Sequence, residues 1–69
     1  MNAIRMGEVD VLTDQWRASN GQDKPRGMGR WCFAIDGCEV IIGGTYKEAV
    51  RAAKRAAAGA GVRVIELLS

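Results

Sequence analysis

Residues 30–42, RWCFAIDGCEVII, set Asp36-Gly37 between two alternating runs, the strongest short-range signal for a two-residue hairpin. With those residues as the turn, Ile35 faces Cys38, Phe33 faces Val40 and Trp31 faces Ile42 along one apolar side. Ala34 with Glu39, and Cys32 with Ile41, fall on the other side, which is only partly apolar. A sheet built on this hairpin therefore has one core face and one face that is at least half exposed.

Gly43-Gly44 breaks the second strand, and Thr45 with Glu48 three residues on spells a capping box that starts a helix. Tyr46, Ala49, Val50, Ala53, Ala56, Ala57 and Ala60 recur at three- and four-residue spacing, while Lys47, Arg51, Lys54 and Arg55 lie mainly elsewhere. Alanine has the best helix propensity, and a stripe of small residues lets the helix axis lie close to a sheet whose own large residues fill the gap. Trp31, Phe33, Val40 and Ile42 are the expected fillers, and Gly59 or Gly61 the expected helix stop.

VRVIELL, residues 62–68, reads as a strand whose near-continuous apolar character suits a position inside the sheet. Glu8 to Trp16 offers another strand: Val9 and Val11 alternate, then Leu12, Asp14 and Trp16 change the phase, which predicts a bulge or an early end. ASNGQDKPRGMG, residues 18–29, reads as a mobile loop. The expectation is a single α+β domain over residues 1–69. Its sheet has three to four mostly antiparallel strands, with one alanine-rich helix on one face, in the order β-β-β-α-β.

A chain of 69 residues buries only about 60% of its unfolded surface, so a large substrate pocket is not expected. At 48% hydrophobic and 26% charged it has a globular composition, with no apolar run near the roughly 18 residues of a membrane helix. The start, MNAIRMGEVDVL, interrupts any secretory core with Glu8 and Asp10, so the cytoplasm is the expected location. There is no histidine, which removes the commonest general base and the usual metal ligand. Two cysteines cannot close a zinc site, and in the hairpin they lie on opposite faces about 10 Å apart, beyond the roughly 7 Å reach of a disulfide. They read as free thiols or, if exposed, as a link between two chains. Asp10 and Asp14 could pair for acid and base work, but nothing else converges on them; a solvated strand edge explains them better. No catalytic group, metal or cofactor is expected.

The net charge is +2, with an acidic stretch of Glu8, Asp10 and Asp14 followed by a basic one of Arg17, Lys24, Arg26 and Arg30. Trp16 and Trp31 stand beside the second stretch, and cations next to stacking aromatics are what single-stranded nucleic acids bind. A small nucleic-acid-binding module is therefore one alternative, with a solvated loop as the plainer account.

GTYKEA at residues 44–49, followed by Ala52-Ala53, resembles the strand-to-helix junction of HicB-type antitoxins, over about fifteen residues. The whole chain, by size and by its order of hairpin, alanine-rich helix and final strand, is similar to the small anti-CRISPR inhibitors of phages and mobile elements. That resemblance implies a non-enzymatic inhibitor that sterically blocks target-DNA recruitment by binding a subunit of a CRISPR effector complex. The residues it points to are Glu8, Asp10 and Asp14 as phosphate mimics, Arg51, Lys54 and Arg55 for an acidic surface, and Trp16 as an exposed aromatic anchor. Ordinary solvation is the plainer account of each charged group. A homodimer is also expected, through an edge strand or the side bearing Cys32 and Ile41.

Overall fold

A computed structural model describes residues 3–21 and 25–68. A 3₁₀ turn at Met6–Glu8 leads into strand β1 (Asp10–Leu12) and helix α1 (Asp14–Asn20). Strands β2 (Met28–Ile35) and β3 (Cys38–Thr45) follow, then helix α2 (Tyr46–Gly59) and strand β4 (Val64–Leu67). The strands form one mixed sheet in the spatial order β1-β4-β2-β3, with β1 parallel to β4 and the other two pairings antiparallel. The fold is a small α+β architecture whose strands follow one another along the chain as expected, with one α-helix more than the sequence suggests.

The hairpin has the register that its alternation dictates: Trp31 opposite Ile42, Phe33 opposite Val40, Ile35 opposite Cys38, Cys32 opposite Ile41 and Ala34 opposite Glu39. Asp36 and Gly37 both take positive φ, 52° and 81°, as a type I′ turn requires and as Asp-Gly permits. β4 lies inside the sheet, where Leu67 pairs with Phe33 and Ile65 with Ile35, so Phe33, Ile65 and Leu67 are fully buried. Because β3 and β4 both run antiparallel to β2, they are parallel to each other. α2 is thus a crossover that carries the chain past β2. β3 is left as an edge strand: Val40, expected as a core filler, is 36% exposed, and Cys38 is exposed.

Helix α2 begins with the capping box: Glu48 N–H donates to Thr45 Oγ1 (3.1 Å), and Thr45 N–H donates to Glu48 Oε1 (3.1 Å). It ends in a Schellman motif, with Val62 N–H donating to the Ala57 carbonyl (2.8 Å), Gly61 N–H to Ala58 (3.1 Å), and Gly61 at φ 74°. Ala49, Ala53 and Ala57 are fully buried against the sheet. The stripe is narrower than the spacing suggests, because Ala56 and Ala60 are exposed. Ala58 is buried instead, under the N-terminal segment, whose Ile4 N–H donates to the Ala58 carbonyl (2.9 Å).

The segment from Glu8 to Trp16 corrects the sequence reading. The strand is only Asp10–Leu12, and the change of phase after it marks the start of α1. α1 turns Trp16 inward, 5% exposed, with its ring 6.2 Å from Trp31 at a tilt of 45°. Trp31 in turn meets the edge of Tyr46 at 5.0 Å and donates its indole N–H to the Gly44 carbonyl (3.3 Å). Of the loop expected over residues 18–29, 18–20 complete α1 and 28–29 open β2, while 22–24 lie outside the described residues. Among the described residues, no helix is long and apolar enough to cross a membrane.

Candidate protein-interaction surface

With the alanines facing the sheet, the cations of α2 face outward. At 100° per residue, Lys54, Lys47, Arg51 and Arg55 occupy an arc of about 100° in that angular order. Lys47, Arg51 and Arg55 are exposed and Lys54 is half-buried. The helix's single carboxylate does not offset them locally, because Glu48 is committed to the cap. The Thr45 backbone N–H, then its hydroxyl, hold the Glu48 carboxyl below the ordinary glutamate range, with a smaller contribution from Arg51.

Beside this arc, the 3₁₀ turn and α2 enclose an open cleft of about 300 Å³ lined by Met6, Gly7, Lys47, Val50, Arg51 and Lys54. Met6 and Val50 are half-buried and rest on the core, so the cleft has an apolar floor and a rim of three cations. None of the six lining residues has a side-chain carboxylate or hydroxyl. This arrangement suits an apolar side chain flanked by carboxylates, and the rim can donate hydrogen bonds but supplies no base. Met6, Val50 and Lys47 were not among the sequence candidates. Lys47 could have been found, because it sits four residues before Arg51 on the same face; nothing in the sequence ties Met6 to α2.

The structure does not assemble the acidic candidates into one patch. Glu8 pairs with Arg63 (2.9 Å), and Asp14 pairs with Arg17 one turn along α1. Asp10 is exposed on β1, opposite Val64 of β4. Two of the three expected phosphate mimics are thus already matched with arginines. Trp16 is buried, so it cannot be the exposed aromatic anchor; the helix that carries it forms because Leu12 ends the strand pairing and Gly21 (φ 64°) closes the turn. The nucleic-acid candidates separate in the same way. Arg17 is paired on α1, Arg26 precedes β2, Arg30 lies on β2, and Lys24 falls outside the described residues. Burial of Trp31 along with Trp16 removes the two aromatic faces on which bases would stack.

The sheet face opposite the helices is a second exposed region. Register places Leu12, Val64, Glu66, Cys32, Ala34 and Ile41 on it, with Leu12 44%, Val64 51% and Ile41 67% exposed. Cys32 is half-buried on this face, and Cys38 is exposed next to the turn on the other. No group of three or more metal-ligating side chains occurs among the described residues. No protein-family model, curated protein or solved structure matches this chain.

Proposed function

We propose that the protein is a non-enzymatic binding module that docks the basic outer side of α2 on an acidic protein surface. The observation that carries this reading is the arc of Lys47, Arg51, Lys54 and Arg55 bordering a cleft with an apolar floor. The cap takes up the nearest carboxylate, which leaves the arc available to an acidic partner. The resemblance in size and element order to small anti-CRISPR inhibitors directs the proposal to a subunit of a CRISPR effector complex in the bacterial cytoplasm. Occupying such a subunit blocks target-DNA recruitment sterically. Self-pairing through the sheet belongs to the same proposal.

The test is capture by the tagged protein from nuclease-treated lysate of bacteria carrying an active CRISPR system. It is followed by a target-DNA binding assay on the recovered complex with and without the protein. Recovery of an effector subunit and loss of DNA binding support the proposal. Recovery of nucleic acid alone from a matched untreated lysate, lost on nuclease treatment, or of a small ribonuclease toxin, overturns it in favour of the nucleic-acid or antitoxin alternative.

A further inference from the structure

We propose that two copies of the chain pair edge to edge through β3, antiparallel and centred on Ile41, so that their two sheets become one. The inference rests on the self-pairing named above and is independent of what α2 binds.

The backbone phase of β3 comes first. Across a two-residue I′ turn the flanking residues, Ile35 and Cys38, exchange both hydrogen bonds, and the ladder then alternates. Cys38, Val40, Ile42 and Gly44 therefore bond to β2, while Glu39, Ile41 and Gly43 turn their N–H and C=O groups outward. The opposite edge of β2 agrees with this phase, since the Cys32 carbonyl accepts from Leu68 N–H (2.8 Å) in the direction of β4. Among the described residues, no backbone hydrogen bond from outside the β2–β3 ladder reaches Glu39, Ile41 or Gly43. The strand is eight residues long and its register is unbroken by a bulge. It contains no proline or lysine, two of the devices that normally blunt a free edge.

Side-chain chemistry then selects the occupant and the register. With Ile41 at a two-fold axis, Glu39 pairs with the partner's Gly43, Ile41 with the partner's Ile41, and Gly43 with the partner's Glu39, giving about six new backbone hydrogen bonds. Val40 and the partner's Ile42 meet on the helix side, and the two Ile41 side chains, each 67% exposed alone, cover one another on the open side. Arg30 lies beside Gly43 on that same open face. Glu39 and the partner's Arg30 are therefore two strand spacings apart, about 10 Å, with a bare glycine between them. Two-fold symmetry makes this pair twice. Neither residue belongs to the two ion pairs among the described residues.

Gly43 itself supports this arrangement, because the monomer does not require a glycine there. Its φ is not positive, and an added Cβ would meet nothing nearer than the Gly29 carbonyl oxygen at 4.0 Å. Sliding the partner one step toward the turn sets Glu39 against the partner's Ile41 and makes the two Glu39 carboxylates diagonal neighbours, and sliding it one step the other way sets Ile41 against the partner's Gly43. An edge of three exchanging residue pairs is a weak, reversible contact compared with a standard interface of about 800 Å² per partner, so dimerisation should depend on protein concentration.

The experiment is sedimentation equilibrium of the full chain from low micromolar to near-millimolar concentration, with circular dichroism confirming that each variant is folded. The wild type should dimerise, and Ile41→Lys should remain monomeric. Glu39→Arg and Arg30→Glu should each weaken dimerisation about tenfold, and the double exchange should restore it. As a folding-independent check, Ile41→Cys with Cys32→Ser and Cys38→Ser should oxidise to a covalent dimer, since a hydrogen-bonded pair at about 5.5 Å between Cα atoms lies within disulfide reach. A wild type that stays monomeric throughout overturns the self-pairing altogether. A dimer that survives Ile41→Lys but dissociates in Val64→Lys leaves self-pairing standing and overturns this geometry.

Discussion

Replacing Trp16 by alanine separates a core residue from a surface anchor. The indole is 5% exposed and packs at a tilt against Trp31, with ring centroids 6.2 Å apart. A buried aromatic of this kind removes about 150–250 Å² from water, worth about 4–6 kcal/mol at 25 cal/mol per Å² as an upper bound, and Trp→Ala substitutions in cores cost about 3–5 kcal/mol. A chain of 69 residues has a total stability of about 3–10 kcal/mol, so the loss amounts to a large share of the whole. Urea unfolding followed by far-ultraviolet circular dichroism, and by fluorescence of the remaining Trp31, measures it. With a slope near 1 kcal/mol per molar urea, the midpoint should fall by about 3 M or the variant should be unfolded in buffer. Wild type and variant must be compared at equal protein concentration, because dimerisation adds to apparent stability. Trp16→Phe should recover most of the loss by refilling the site. A Trp16→Ala midpoint within about 0.5 M of wild type would refute the burial argument and return Trp16 to the surface.

Other outcomes follow from the helix and its cap. Ala53→Leu forces a large side chain between α2 and the sheet at a fully buried position and should cost about 1–3 kcal/mol, read as a fall in thermal midpoint of several degrees. Thr45→Ala removes the capping box and should cost about 1 kcal/mol in the same assay. Because the folded Glu48 carboxyl lies below its ordinary value of 4.5, its contribution is present above that pH and is lost as pH falls through the folded value. The stability difference between wild type and Glu48→Gln should therefore shrink on acidification below about pH 4.5. Tyr46 is the single tyrosine, and burial pushes its phenol above 10.0. An absorbance titration should find a midpoint above that of free tyrosine, with the phenol's contribution to stability lost as pH rises through it.

The parts of this fold that could be read from sequence are those set by short-range pattern. Asp36-Gly37 fixes the turn, and a period of two then fixes every pairing of β2 with β3. Thr45 and Glu48 fix the start of α2, and the apolar density of residues 62–68 places β4 inside the sheet. Helix α1 was missed because seven residues carry little periodicity, and Val9, Val11 and Leu12 extend a strand pattern up to its start. The clues were Asp14 three residues before Arg17 and Gly21 immediately after Asn20. Which charges stand free depended on long-range contact. Glu8 finds Arg63 from the other end of the chain, and no local pattern announces that pair. For the same reason the cations of α2 were legible, while the Met6 side of the cleft was not.

The most direct test of the basic face of α2 is the affinity of the captured effector subunit for the wild-type protein and for the triple variant Arg51→Glu, Lys54→Glu, Arg55→Glu, measured by calorimetry at low salt. Two of these residues are exposed and the third half-buried, so the variant should keep the wild-type circular dichroism spectrum. Docking through the basic face requires at least a hundredfold loss of affinity, since reversing a complementary charge sets like against like, together with loss of the block on target-DNA binding. Wild-type affinity and a full block in the folded triple variant would contradict it.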